Sequence, residues 1–109
     1  MKLNLKYNAL KVDEIEKEKG IAIENCITDT TISNIILFVQ KGLGLSREEA
    51  LQKIDEYLVE SDKQELVLDI MEALIAGGFL PKSLDIASLR GTMKADSKKG
   101  KASGKSGKN

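Results

Sequence analysis

The chain has 109 residues, 17 Lys+Arg against 17 Asp+Glu, no His and one Cys. That length predicts one domain with at most a tail. Without His, imidazole acid–base chemistry, Cys–His dyads and ordinary zinc sites are excluded, and a lone Cys excludes an internal disulfide.

Zero net charge argues against a simple basic nucleic-acid binder. No apolar run approaches the roughly 18 residues of a membrane span. Lys2 and alternating residues in place of an apolar signal core predict no secretion. The composition therefore predicts a small cytoplasmic protein that is not an enzyme.

Lys2 to Tyr7 alternates polar and apolar residues, which predicts a short strand with Leu3, Leu5 and Tyr7 on one face. The period changes at Ala9. Leu10, Val12 and Ile15 amid dense charge predict a short helix from Ala9 to Lys19, with Asn8 as its cap and Gly20 at its end. Ile21 to Ile27 is β-branched and reads equally as a strand or a connecting segment. Cys26 within it reads as a small buried hydrophobe, since no partner base exists.

Three better-marked helices follow. Thr28 or Asp29 is placed to cap a helix to about Lys41, with Ile32, Ile35, Ile36 and Val39 on one side. Leu37 and Phe38 widen its apolar surface, and Gly42 and Gly44 end it. Ser46-Arg47-Glu48-Glu49 has the spacing of a capping box and predicts a helix to about Glu60. Its stripe is Leu51, Ile54 and Leu58, with Tyr57 beside it. Ser61 to Gln64 has the same spacing and opens a helix to Ala76, whose apolar residues include Leu66, Val67, Ile70, Met71, Leu74 and Ile75. Gly77-Gly78 and Pro81 stop it. Leu84 to Leu89 predicts one or two helical turns.

Charge is uneven along the chain. Residues 1–90 carry 11 basic and 16 acidic groups, whereas residues 91–109 carry six Lys and one Asp. The latter stretch is rich in Gly and Ser and has Met93 as its one large apolar side chain. It cannot offset an ordering cost of about 1–2 kcal/mol per residue. The expected organisation is a folded domain over 1–90 and a disordered basic tail over 91–109.

Few constellations carry chemistry. Asp55, Glu56, Glu60, Asp62, Glu65, Asp69 and Glu72 lie at mixed spacing without a calcium-type loop, and read as a solvated face. Gly42 to Ser46 lacks the Gly-Lys-Ser/Thr ending of a phosphate loop and reads as a helix–helix turn. The Lys tail lacks aromatics that would stack on bases, so it reads as a linker and nucleic acid is not expected as a partner. What remains is apolar surface. Ile32, Ile36, Phe38, Val39, Met71, Ile75, Phe79 and Leu80 are the candidates for partner contact, through whichever of them stay exposed. Which of them face the core is open at this point, as is a homo-oligomer.

A strand, a first helix ending IEKEKG, then ITDTTISNIILFVQKGLGLSREEALQKIDEYL, then a helix ending MEALIAGGFL succeed one another. This order resembles the small tail assembly chaperones of long-tailed phages and prophages of low-GC Gram-positive bacteria. The resemblance covers about residues 1–80. It implies a chaperone of the host cytoplasm, absent from the mature virion, that binds and shields the tape measure protein during tail morphogenesis. It further implies a longer form made by ribosomal frameshifting, through which the tail tube protein becomes a second partner. The family brings no catalytic residues, no cofactor and no metal. The expected fold is mainly α with a short N-terminal β element. Two rival functions follow from charge. One is a small regulator or antagonist that binds a host protein through an acidic face; the other is a nucleic-acid-associated protein that uses the Lys tail.

Overall fold

The computed structural model describes residues 3–84 and 86–88. Five helices follow in order: α1 (Ala9–Lys19), α2 (Ile23–Cys26), α3 (Ile32–Leu43), α4 (Arg47–Glu60) and α5 (Lys63–Ala76). The protein is mainly helical, as its periodicities predict.

The N-terminal β element is not formed: no strand occurs among the described residues. Leu3 to Tyr7 is nevertheless extended, and the alternation is read correctly. Leu3, Leu5 and Tyr7 are buried while Asn4 and Lys6 are exposed. The segment has no neighbouring strand to pair with. It is held by bonds from Lys6 N–H to the Gly42 carbonyl at 3.0 Å, from the Tyr7 hydroxyl to the Phe38 carbonyl at 2.7 Å and from Lys11 Nζ to the Lys6 carbonyl at 3.2 Å. It is a strap across the end of α3.

α1 has the predicted bounds. Asn8 Oδ1 accepts from Lys11 N–H at 2.9 Å, and Gly20 closes the helix at φ 74°, a left-handed position that glycine takes without a Cβ clash. Val12 and Ile15 face the core; Leu10, expected beside them, is 65% exposed. The ambiguous segment resolves into the single turn of α2, where Ile23 N–H donates to Glu16 Oε2 at 2.8 Å.

α3 starts later than predicted. Asp29 is drawn into the preceding turn, where Oδ1 accepts from Thr31 N–H at 3.0 Å. Thr31 is left as the cap, and its hydroxyl accepts from Asn34 N–H at 3.3 Å. Gly42 does not end the helix. It lies inside α3 because the strap presses on it: a Cβ there would stand 2.7 Å from Leu5 Cδ2 and 2.8 Å from Tyr7 Oη.

α4 opens with the predicted capping box. Ser46 Oγ accepts from Glu49 N–H, and the Glu49 carboxylate accepts from Ser46 N–H. Its inward face is rotated from the predicted stripe, with Ala50, Ile54 and Tyr57 buried and Leu51 36% exposed. Tyr57 turns inward because its hydroxyl donates to Asp69 Oδ2 on α5 at 2.7 Å. Ser61, expected to cap α5, is spent ending α4, and Asp62 takes its place by accepting from Glu65 N–H at 2.9 Å. A carboxylate also suits the positive end of the helix.

α3 is the centre of the body and packs against α1, α4 and α5. Ile15, Cys26, Ile35, Phe38, Val39, Leu66 and Leu74 are essentially inaccessible to water. Tyr7 and Phe38 meet edge to face, with centroids 6.1 Å apart. After α5, residues 86–88 are helical and Ile86 is buried, which matches part of the expected last turn. Leu89 and the tail over 91–109 lie outside the described residues.

Candidate functional site

The eight apolar candidates divide sharply. Ile36, Phe38, Val39 and Leu80 are core residues, between 0% and 4% exposed, and offer nothing to a partner in this conformation. Consecutive residues Ile35 to Val39 point in all directions around α3, so their joint burial requires cover on every side. The strap, α1, α4 and α5 supply it. Ile32, on the first turn, is 44% exposed. Met71, Ile75 and Phe79 are half-buried and rest on the core.

Val67, Met71 and Ile75 are spaced four apart on α5 and share a face. All three are half-buried. This stripe is about 12 Å long at 1.5 Å per residue. It borders a cleft between α5 and the α2–α3 connection, lined by Ile27, Asp29, Asn34, Ile35, Phe38, Val67, Ile70 and Met71. The cleft as a whole has about 10 Å³ of free space, close to one water molecule. A second depression of about 190 Å³ is lined by Thr30, Lys63, Gln64 and Val67, and shares Val67 with the cleft.

The polar content of the cleft is unusual. Asn34 is 3% exposed. Its Nδ2 donates twice, to the Cys26 carbonyl at 3.0 Å and to the Asp29 carbonyl at 2.7 Å. These two bonds fix the orientation of the amide, because a flipped Oδ1 would face two carbonyl oxygens. They leave Asn34 Oδ1 buried with no hydrogen-bond partner. Beside it, the Asp29 carboxylate accepts from Thr31 N–H and from Lys19 Nζ at 3.1 Å. The Thr31 bonds, with Lys19 adding to them, hold the Asp29 carboxyl below its ordinary range.

The remaining clusters behave differently. Cys26 is fully buried, with Sγ 3.6 Å from the Ile21 carbonyl, and burial pushes its thiol up, away from the nucleophilic thiolate. Asp69 is not part of a solvated face: it is 8% exposed and receives the Tyr57 hydroxyl. Burial foremost, and then Asp69, raises the Tyr57 phenol above its ordinary value. Asp55, Glu56, Glu60 and Asp62 are exposed as expected, while Glu65 and Glu72 are half-buried. Among the described residues, no group of three His, Cys, Asp or Glu side chains is placed to hold a metal. Gly42 to Ser46 is a helix end and turn, with Gly44 at φ 68°.

Val67, Ile27 and Asn34 belong to this site and were not singled out by the sequence. Val67 is one large apolar residue among seven in α5. Asn34 carries a signal in retrospect: it is a lone amide set three residues after a Thr cap, at the head of a long apolar run. Comparisons with known protein families, with curated proteins and with solved structures find no match to this chain.

Proposed function

We propose that the protein is a non-enzymatic phage tail assembly chaperone that binds the tape measure protein and shields its apolar helices until the tail tube encloses them. The observation that carries this reading is the Val67–Met71–Ile75 stripe. Three neighbouring apolar side chains on one helix face stay partly exposed, beside a mostly apolar cleft. Such a face suits an apolar helix laid along it, and Met adapts readily to differing side chains. The order of elements adds the resemblance to the tail assembly chaperones. On this reading the complex forms in the host cytoplasm, and the protein leaves before the virion is complete. A frameshifted longer form would bring the tail tube protein to the same complex.

The test is co-expression with a phage tape measure protein, followed by purification in low and high salt. The expected result is a soluble complex that survives about 1 M salt, where the screening length is only about 3 Å. Met71→Asp places a charge on the stripe at a half-exposed position and should abolish capture while the helical content is kept. Loss of the complex in high salt, or capture unchanged by Met71→Asp, would overturn the reading and favour an electrostatic partner.

A further inference from the structure

The apolar stripe on α5 has one end unlike the other. Lys63, Val67, Met71 and Ile75 follow one another at intervals of four along the helix. A row of this spacing is one of the ridges by which helices pack into each other. It is about 18 Å long at 1.5 Å per residue, which matches about three turns of a second helix. Its last three members are apolar and partly exposed, and no charged residue follows Ile75 on α5. Its first member is an exposed Lys.

Lys63 lines the depression of about 190 Å³ together with Thr30, Gln64 and Val67, so that lining holds one cation and no anion. Among the described residues Lys63 makes no ion pair. The carboxylates next in sequence to the lining are engaged in the fold. Asp62 caps α5 by accepting from Glu65 N–H at 2.9 Å, and Asp29, beside Thr30, pairs with Lys19 at 3.1 Å. An apolar ridge that ends in an unpaired ammonium sorts its occupants. A cationic end meets a like charge, a neutral end gains nothing from Lys63, and an anionic end gains an ion pair. A helix antiparallel to α5 brings its C-terminal end, the negative end of its dipole, to Lys63.

We propose that the segment held along α5 is an antiparallel helix carrying an Asp or Glu side chain one turn beyond its apolar residues, at its C-terminal end, where Lys63 pairs with it. This rests on the function proposed above and sharpens it: clients are selected by one charge at one end as well as by apolar area, and that charge fixes their direction on the ridge.

The test uses the full chain and three helical peptides with blocked termini and Leu at intervals of four. One carries Glu a turn after the last Leu, one carries Glu a turn before the first Leu, and one carries Gln at both places. Affinity is read by fluorescence anisotropy of the labelled peptide, and methyl signals of Val67, Met71 and Ile75 report where it sits. The expected result in low salt is that the peptide with C-terminal Glu binds about two- to fivefold tighter than the Gln peptide, the range of an exposed ion pair, and that the peptide with N-terminal Glu does not. The preference should vanish in about 1 M salt and reverse with Lys63→Glu, a substitution that suits the first turn of a helix and so keeps α5. Equal binding of the three peptides, a preference for N-terminal Glu, a preference that survives Lys63→Glu, shifts centred on other methyls, or no saturable binding would overturn the proposal. The tape measure capture assay separates it from the chaperone reading. Capture that Met71→Asp abolishes while the peptides bind equally leaves the chaperone reading standing and removes the charge selection; the peptide preference with no capture does the reverse.

Discussion

α3 and α5 are similarly rich in apolar residues, yet the structure uses them in opposite ways. In α3 the five residues Ile35 to Val39 are all buried, enclosed by the strap on one side and by α1, α4 and α5 on the others. In α5, Leu66, Ile70 and Leu74 face the core while Val67, Met71 and Ile75 stay partly exposed. A continuous apolar run is therefore the mark of a helix wrapped on all sides. The face available to a partner belongs to the helix whose apolar residues are broader than its buried stripe but still periodic.

The largest expected effect tests the wrapped helix. Phe38→Ala should cost about 3–5 kcal/mol, read by denaturant unfolding, because it opens a cavity beneath the strap and the Tyr7 ring. A cost under 1 kcal/mol would mean that α3 is not enclosed as described. Gly42→Ala probes the same helix from outside. The new methyl would collide with Leu5 and Tyr7. Overpacking of about 1–3 kcal/mol should match or outweigh a helix-propensity gain of about 1 kcal/mol, leaving a net loss of up to about 2 kcal/mol. Stabilisation by this substitution would show that the strap yields freely. Met71→Ala on the open helix should cost less, about 1–2 kcal/mol, since that side chain is only partly buried. A loss as large as that of Phe38→Ala would erase the contrast between the two helices.

These contrasts also show what was legible in the sequence. The helices and most of their ends could be read, because their signals are local: Asn8 and Gly20 around α1, the Ser46–Glu49 box, and Gly77-Gly78 after α5. Missed positions had a distant partner or a competing local one. Tyr57 turned α4 inward to reach Asp69 twelve residues on, and Asp29 left its expected role as cap for the turn before Thr31. The strap kept the strand pattern of alternating burial but found a helix end, and no strand, to lie against. For the candidate site, the sequence offered Met71, Ile75 and Phe79 only as members of a set of eight apolar residues. It could not separate them from Ile36, Phe38, Val39 and Leu80, since one sequence does not reveal how many neighbours cover a helix.

The smallest expected effect concerns acid. Asp29 is held below the ordinary carboxylate range by its bonds to Thr31 and Lys19. Its contribution is present above the ordinary carboxylate pKa and is lost as the pH falls through the lowered value. The Thr31 amide signal should therefore move on acidification, at a pH below the ordinary carboxylate range. An amide of Thr31 indifferent to that titration would show that the connection before α3 stands without Asp29.

The bond between Tyr7 and Phe38 spans 31 residues, and it has a consequence during synthesis. The strap leaves the ribosome first, but its seat on α3 is complete only once Gly42 has followed. α4 and α5, which close the other sides, come later still. At about 5–20 residues per second, the run from Ile35 to Val39 spends seconds as an uncovered apolar helix on every molecule made. The step of its own biogenesis most exposed to aggregation is thus the wait for α5, and truncation or slow codons after Glu60 would lengthen it without altering a single contact of the finished fold.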